Sequence, residues 1–432
     1  VIESKHDTGG QNREKSMVAV ARVLVLVAAL GIVAAGLLGC GGAVLYALLE
    51  PGSDQVQIIT LGISLLALTL VLGPALAWQS WQSIQGRESG RFRISRIWLL
   101  AVGYILALVA GQVFLSSGLL THFAFPPLHV AAATLPPLII LGLVGRVLRE
   151  RARWRSVVLQ LSSGAMLSTA LAFTLEVILG LILVAVVAAI LALQAGGLET
   201  IEAVVEGLQD PAWLQDPANL VPIVSLPPVV GGIFLLVAGI VPLVEEGVKT
   251  LGVVLLSYQR PGLRRAFLWG VASGAGFAMT ENLLNTTSDL DSWAPLVLLR
   301  VGASLLHCFT GGVAGMAWHQ LLVERRWARG LGLFAASITL HALWNALAAA
   351  MALTSLWTLG GAASEADRAV LGLGSALTLA LLIGLALAAG LGLLGSALYL
   401  RRRGLSEQVA RGEGSGSPVG RGETESTRAE GF

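Results

Sequence analysis

The chain has 432 residues, 55% of them apolar and only 12% charged, with a mean hydropathy of +0.78 and a formal net charge of +2. Soluble domains carry about 25% charged residues, so this composition excludes an ordinary soluble globular protein. The near-zero net charge gives no basis for a nucleic-acid partner, and two cysteines, Cys40 and Cys308, are too few for a disulfide framework.

Long apolar runs predict an all-α polytopic membrane protein of about ten transmembrane helices, at 18–49, 56–79, 97–119, 127–147, 165–195, 228–257, 265–284, 294–322, 331–354 and 369–400. The runs are continuous, unlike the short alternating segments of a membrane β-barrel. The first is too long for a signal-peptide core and reads as a span. Residues 157–164 read as interfacial, and His6, His122, His129 and His319 as terminal, loop or interfacial.

The connections alternate in charge. Arg and Lys collect in the N-terminal segment and around 87–96, 146–155, 260–265, 325–329 and 401–403, while the intervening loops lean acidic. The positive-inside preference predicts that the basic set and both termini face the cytoplasm of a cell membrane. Six regions follow: a cytoplasmic segment 1–17, a five-span region 18–195, an external loop 196–227, a four-span core 228–355, a last helix 369–400 and a disordered cytoplasmic tail 401–432. Within the external loop, LETIEAVVEGL predicts a short helix.

The four-span core holds the polar side chains. Its first span contains 241-VPLVEEGVKT-250, three charges that each cost about 2.5–3.5 kcal/mol at a helix centre. Lys249 is one of only three lysines among 28 basic residues. Its spacing of four from Glu245 predicts an ion pair with that residue, which leaves Glu246 without a partner on its own helix. Pro242 predicts a kink with a freed carbonyl at Ala238. The next span carries Phe277, Glu281 and Asn282, with Gly270 and Gly274 on a face that admits a close helix. His307, Gly311 and Gly315 then repeat every four residues, and His341 and Asn345 share a face on the following span. Glu176 and Arg300 are also intramembrane but fit no usable spacing.

Side chains this costly must face one another or a wet cavity. Hydrogen-bond glue between helices does not require charge, so two functional classes remain: hydrolysis within the membrane, and ion or proton transport. Two histidines and a carboxylate are also a zinc-type donor set, although no HExxH is present and spacing leaves the cofactor open between none and zinc.

The ordered set EExxK at Glu245, Glu246 and Lys249, FxxxE at Phe277 and Glu281, a histidine at His307, then HxxxN at His341 and Asn345 resembles the PrsW-type intramembrane proteases. These belong to a wider superfamily of CAAX-processing and bacteriocin-processing enzymes. The resemblance implies a glutamate-dependent endopeptidase that cuts a membrane protein or peptide substrate, such as a single-span anti-sigma factor. It implies catalytic roles for Glu245, Glu246, Glu281, His307, His341 and Asn345, and support from Lys249, Phe277 and Asn282. His307, His341 and Glu281 are the metal-ligand candidates. On this reading Glu245 activates water, Glu246 or Glu281 shares its proton, and the histidines and Asn345 orient the water or stabilise the oxyanion. The alternative is a transporter or scaffold on a protease-like core.

Overall fold

The computed structural model describes residues 8–49, 55–210, 213, 216–287, 289–360 and 364–410. Its elements are α1 (Thr8–Leu49), α2 (Gln55–Ile84), α3 (Ile97–Ser117), α4 (Thr121–Leu148), α5 (Trp154–Ala192), the short α6 (Gly197–Gly207) and α7 (Pro217–Val224), α8 (Pro227–Gln259), α9 (Leu263–Asn285), α10 (Trp293–Val323), α11 (Trp327–Leu359) and α12 (Glu365–Ala410). Among the described residues there is no strand, only an isolated bridge between Arg91 and Arg153. Helices α5, α8 and α10 each contain a π-helical turn, at Ser163–Ser168, Leu235–Ile240 and His319–Val323.

Nine of the described helices are long and apolar enough to cross a membrane. The tenth expected span, α9, misses that apolarity for a physical reason. Hydropathy measures what a helix needs in order to face lipid, and α9 faces protein: every residue from Ala266 to Thr280 is buried. Its 23 residues reach about 35 Å at 1.5 Å per residue, enough to cross the hydrocarbon core. Small residues give it neighbours on two sides. A Cβ on Gly270 or Gly274 would strike the α10 backbone at Gly311 or His307, and one on Gly276 would strike the α5 backbone at Leu161. The small-residue faces expected on both helices therefore meet each other.

Arginine-bearing turns gather at one end of the bundle. Phe92 N donates to Ala152 O, 2.8 Å, and Trp154 N to Gly90 O, 2.9 Å, joining the α2–α3 and α4–α5 connections. Glu150 pairs with Arg264 and Arg265 at the start of α9. Arg22 of α1 donates to Ser83 O, 3.0 Å, near the end of α2, and the end of α12 reaches the same face beside Arg264. The first and last spans thus have their outer ends on one side, which requires an even number of crossings and makes α9 one of them.

Three expectations need correction. Residues 157–164 are not an interfacial segment but the opening of α5, buried at Val157, Gln160 and Leu161 against the bundle; their polarity turns toward protein rather than lipid. His129 is not interfacial either. It is fully buried on α4, with Nε2 3.3 Å from Leu283 O, while Trp293 Nε1 donates to its Nδ1 at 3.0 Å. The last helix continues through residues 401–410, the first part of the expected disordered tail. The rest of that tail, 411–432, and His6 lie outside the described residues. The short helix expected in the external loop is α6.

Candidate active site

The local shape of α8 follows from two interruptions. Pro242 has no N–H, so one carbonyl before it must lack its helical donor. In the π turn that precedes it, the acceptor five residues back is Val237 rather than Ala238. Asn345 of α11 fills that vacancy, its Nδ2 donating to Val237 O at 3.0 Å. The freed carbonyl is thus one residue away from the expected one, and the amide of Asn345 is committed to it. One turn after the glutamates the helix breaks at Thr250 (φ −105°, ψ 25°). The Lys249 carbonyl accepts from Ser273 Oγ at 2.6 Å and from Ser168 Oγ at 3.2 Å, so α5 and α9 both clamp the segment that carries the charges.

Glu246 is fully buried and has four donors. Its Oε1 accepts from Lys249 Nζ, from Thr310 Oγ1 at 3.0 Å and from His341 Nδ1 at 2.9 Å; its Oε2 accepts from Ser337 Oγ at 2.8 Å. Lys249, also fully buried, lies with Nζ 5.1 Å from the Phe277 ring centroid. The lysine therefore pairs with Glu246 at i,i+3 and not with Glu245 at i,i+4 as its spacing predicts. Both spacings are neighbours on a helix. Packing decides between them, because a fully desolvated carboxylate needs the nearest cation most.

The second carboxylate group stands on α9 and α10. Glu281 Oε2 lies 2.6 Å from His307 Nε2 and 2.9 Å from Arg300 Nη2, and Asn285 Nδ2 donates to its Oε1 at 3.2 Å. Asn282 holds the arginine from the other side, accepting from Arg300 Nε at 2.8 Å while its own Nδ2 donates to Ala133 O and Ser304 Oγ, each 3.0 Å away. Phe277 packs on His307 with ring centroids 5.6 Å apart.

The two imidazoles meet edge to face, centroids 5.0 Å apart. His341 Nδ1 donates to Glu246 and His307 Nε2 lies against Glu281 Oε2; with the proton on that nitrogen, the other nitrogen of each neutral ring keeps its lone pair. His341 Nε2 is 3.6 Å from Glu245 Oε2. That oxygen and His307 Nδ1 are both buried without a hydrogen-bond partner among the described residues. One ligating atom each from Glu245, His307 and His341 lies within 4.8 Å of the others. Orphaned donor atoms converging on one point, backed by carboxylates that fix the imidazoles, are what a divalent metal requires, so this chain's residues fit one. Of the ligand candidates read from sequence, His307 and His341 belong to this group. Glu245 completes it, and Glu281 stands behind His307.

A further carboxylate approaches from α5. Ser168 bonds the Lys249 carbonyl, a Cβ on Gly180 would lie 3.8 Å from Leu236, and one on Gly232 would meet Val187. This antiparallel register sets Glu176 across from Val241, one turn from Glu245. Glu176 Oε1 is buried without a partner among the described residues, within electrostatic range of Glu245 and Glu281.

Residues 152–364 match the profile described as PrsW family intramembrane metalloprotease. This stretch is a PrsW-family domain. Membership makes this domain a peptide-bond hydrolase, within a chain of multi-pass membrane architecture. The PrsW domain opens just before α5 and closes just after α11, so it takes in Glu176 as well as the four-span cluster. No curated protein and no solved structure matches the chain.

Within the PrsW domain, Glu245, Glu246, Lys249, Phe277, Glu281, His307 and His341 come together as one cluster. Asn282 joins it through Arg300, and Asn345 joins it through the α8 backbone. Sequence reasoning missed Thr310 and Ser337, whose hydroxyls are too common in membrane helices to stand out. Arg300 was visible as an intramembrane charge, and its spacing of seven from His307, two helical turns, was the signal that it shares a face with that histidine.

Proposed function

We propose that the chain is a glutamate- and metal-dependent intramembrane endopeptidase acting on a membrane-embedded protein, with a single-span anti-sigma factor as the type of substrate. The observation that carries this reading is the pair of carboxylate-backed imidazoles facing the unpartnered Oε2 of Glu245. Glu245, His307 and His341 would hold the ion, a two-histidine, one-glutamate set used by catalytic zinc sites. When bound, zinc supplies Lewis-acid polarisation of the scissile carbonyl and acidifies a water.

The remaining groups have separate tasks. Glu246 holds His341 in one tautomer, and its four donors stabilise it as the carboxylate. Glu281 does the same for His307 and is itself held by Arg300. Lys249 balances the buried charge of Glu246. Asn345 fixes the π turn that aims Glu245. Glu176 Oε1 is a buried carboxylate oxygen with no hydrogen-bond partner among the described residues, and it accepts the proton of the attacking water and returns it to the leaving amine. The bundle sits in the cell membrane with the arginine-rich end and both termini in the cytoplasm, supported by the positive-inside preference.

The test uses the full chain reconstituted in liposomes with a single-span reporter. Glu245→Gln is expected to lower cleavage by about 10²–10⁴-fold and to lower the bound zinc measured by elemental analysis. Cleavage at the parent rate by that variant would end the proposal. Parent-rate cleavage after exhaustive chelation would remove its metal component.

A further inference from the structure

At the arginine-rich end of the bundle lies a cavity of about 820 Å³, separate from the carboxylate–histidine cluster. Its walls come from the α4–α5 and α8–α9 connections, the α10–α11 turn and the end of α12. Six arginines line it: Arg260, Arg264, Arg265, Arg326, Arg329 and Arg403. Against them, among the described residues that line the cavity, stand two carboxylates, Glu150 and Glu324, and Arg265 and Arg403 have further partners.

The carboxylates neutralise only part of the ring. Glu150 pairs with Arg264 at 3.4 Å and Arg265 at 3.6 Å, and Glu324 with Arg326 at 3.7 Å. Arg260 and Arg329 make no ion pair among the described residues. Arg260 holds its position at a backbone cost, with φ 46° in the left-handed region where a glycine would sit without strain. His319 Nδ1, 3.0 Å from Pro261 O, ties that turn to α10.

Leu263, Met316, Leu333 and Leu400, at the ends of α9, α10, α11 and α12, add apolar lining to the same cavity. The positive-inside preference places arginines in these turns, but it does not require them to converge on one concavity that also has apolar walls. A soluble phosphate ester would use the arginines alone. A phospholipid uses both parts: phosphate oxygens on the guanidinium forks, whose geometry they match, and the first acyl carbons on the leucines and methionine. The volume falls in the range of small-molecule sites, and basic pockets between membrane helices are where anionic headgroups bind.

We propose that this cavity is a binding site for one anionic phospholipid, its phosphate held by Arg260 and Arg329. The proposal stands apart from the protease reading. It is tested by native mass spectrometry of the full-length protein, released from detergent containing equal phosphatidylglycerol and phosphatidylcholine. The expected result is retention of one phosphatidylglycerol in preference to phosphatidylcholine. In the Arg260→Gln/Arg329→Gln variant the preference drops roughly 10- to 30-fold. The Arg87→Gln/Arg96→Gln variant, which removes the same charge from exposed turns outside the cavity, retains it. Equal retention of the two lipids by the parent protein would overturn the proposal without reference to any variant. So would an equal loss in both variants, which would indicate general surface attraction. Displacement of the lipid by equimolar glycerol phosphate would show a site for soluble phosphate esters and overturn the lipid assignment.

Discussion

His341 Nδ1 donates to Glu246 Oε1 across 2.9 Å, and this contact turns Nε2 of the same ring toward Glu245. The two adjacent glutamates therefore do opposite things to one histidine: Glu246 orients it from behind and Glu245 faces it in front. The buried lysine belongs to the rear carboxylate. Removing one partner of a fully buried pair leaves an uncompensated charge. Glu246→Gln and Lys249→Met are each expected to cost about 3–5 kcal/mol of stability. The double variant recovers most of that loss, because neither member of the pair is left as an uncompensated charge. Metal affinity behaves differently: it stays about 10- to 100-fold lower in the double variant, since a ligand-orienting carboxylate is still missing. Thermal unfolding in detergent and zinc titration read the two effects apart, and metal affinity that recovers along with stability would refute the orienting role.

Glu176 is expected to separate chemistry from metal binding. Glu176→Gln keeps the side-chain shape and removes the proton acceptor. Cleavage should fall about 10²–10⁴-fold, with zinc content and unfolding temperature close to those of the parent. A variant with parent-like cleavage would assign the proton transfer elsewhere.

Arg300 grips Asn282 through Nε and Glu281 through Nη2. A lysine keeps the charge but has one point of contact where the guanidinium has a fork. Arg300→Lys is therefore expected to lose at least one charge-assisted hydrogen bond, about 1.5–3 kcal/mol, and to release His307 from its fixed orientation. The checks are thermal unfolding together with zinc affinity. An Arg300→Lys protein equal to the parent in both would show that charge alone suffices.

The contact between α9 and α10 predicts a contrast between glycines. A Cβ on Gly311 would meet the backbone of Gly270 and Gly274, whereas one on Gly384 of α12 would meet nothing within 4 Å. Gly311→Ala is expected to destabilise by about 1–3 kcal/mol through overpacking. Gly384→Ala should change stability by no more than about 0.5 kcal/mol. Unfolding midpoints of the two variants, compared in the same detergent, decide the matter.

Much of this site is readable before any coordinates, because a bilayer makes every charge conspicuous. Four consecutive spans bearing Glu245, Glu246, Lys249, Glu281, His307 and His341 point to a shared interior on energetic grounds alone. Pairing is harder to read. Helical spacing permits Lys249 to reach either glutamate, and the choice falls to Thr310 and Ser337, which are 61 and 88 residues downstream of the lysine. Burial of a weakly apolar helix is equally silent, since α9 owes its place to glycines that matter only once α5 and α10 lie against them. His129 looks peripheral until Trp293, 164 residues later, donates to it. Each failure concerns a contact between distant segments; each success concerns the cost a residue incurs wherever its helix sits in the bilayer.

The glycine contact between α9 and α10 also restricts how a peptide can arrive. Hydrolysis needs an extended segment, and such a segment takes about 4.7–4.9 Å beside any backbone it adjoins. At Gly270, Gly274, Gly311 and Gly315 the two backbones touch, with no side chain between them to swing aside. That seam is a closed wall. The seam between α5 and α8 is filled differently: Leu236 and Val187 meet Gly180 and Gly232 by the tips of their side chains, and tips can rotate away. On the proposed protease reading, a substrate helix sliding in from the lipid would enter there, with Glu176 at the threshold.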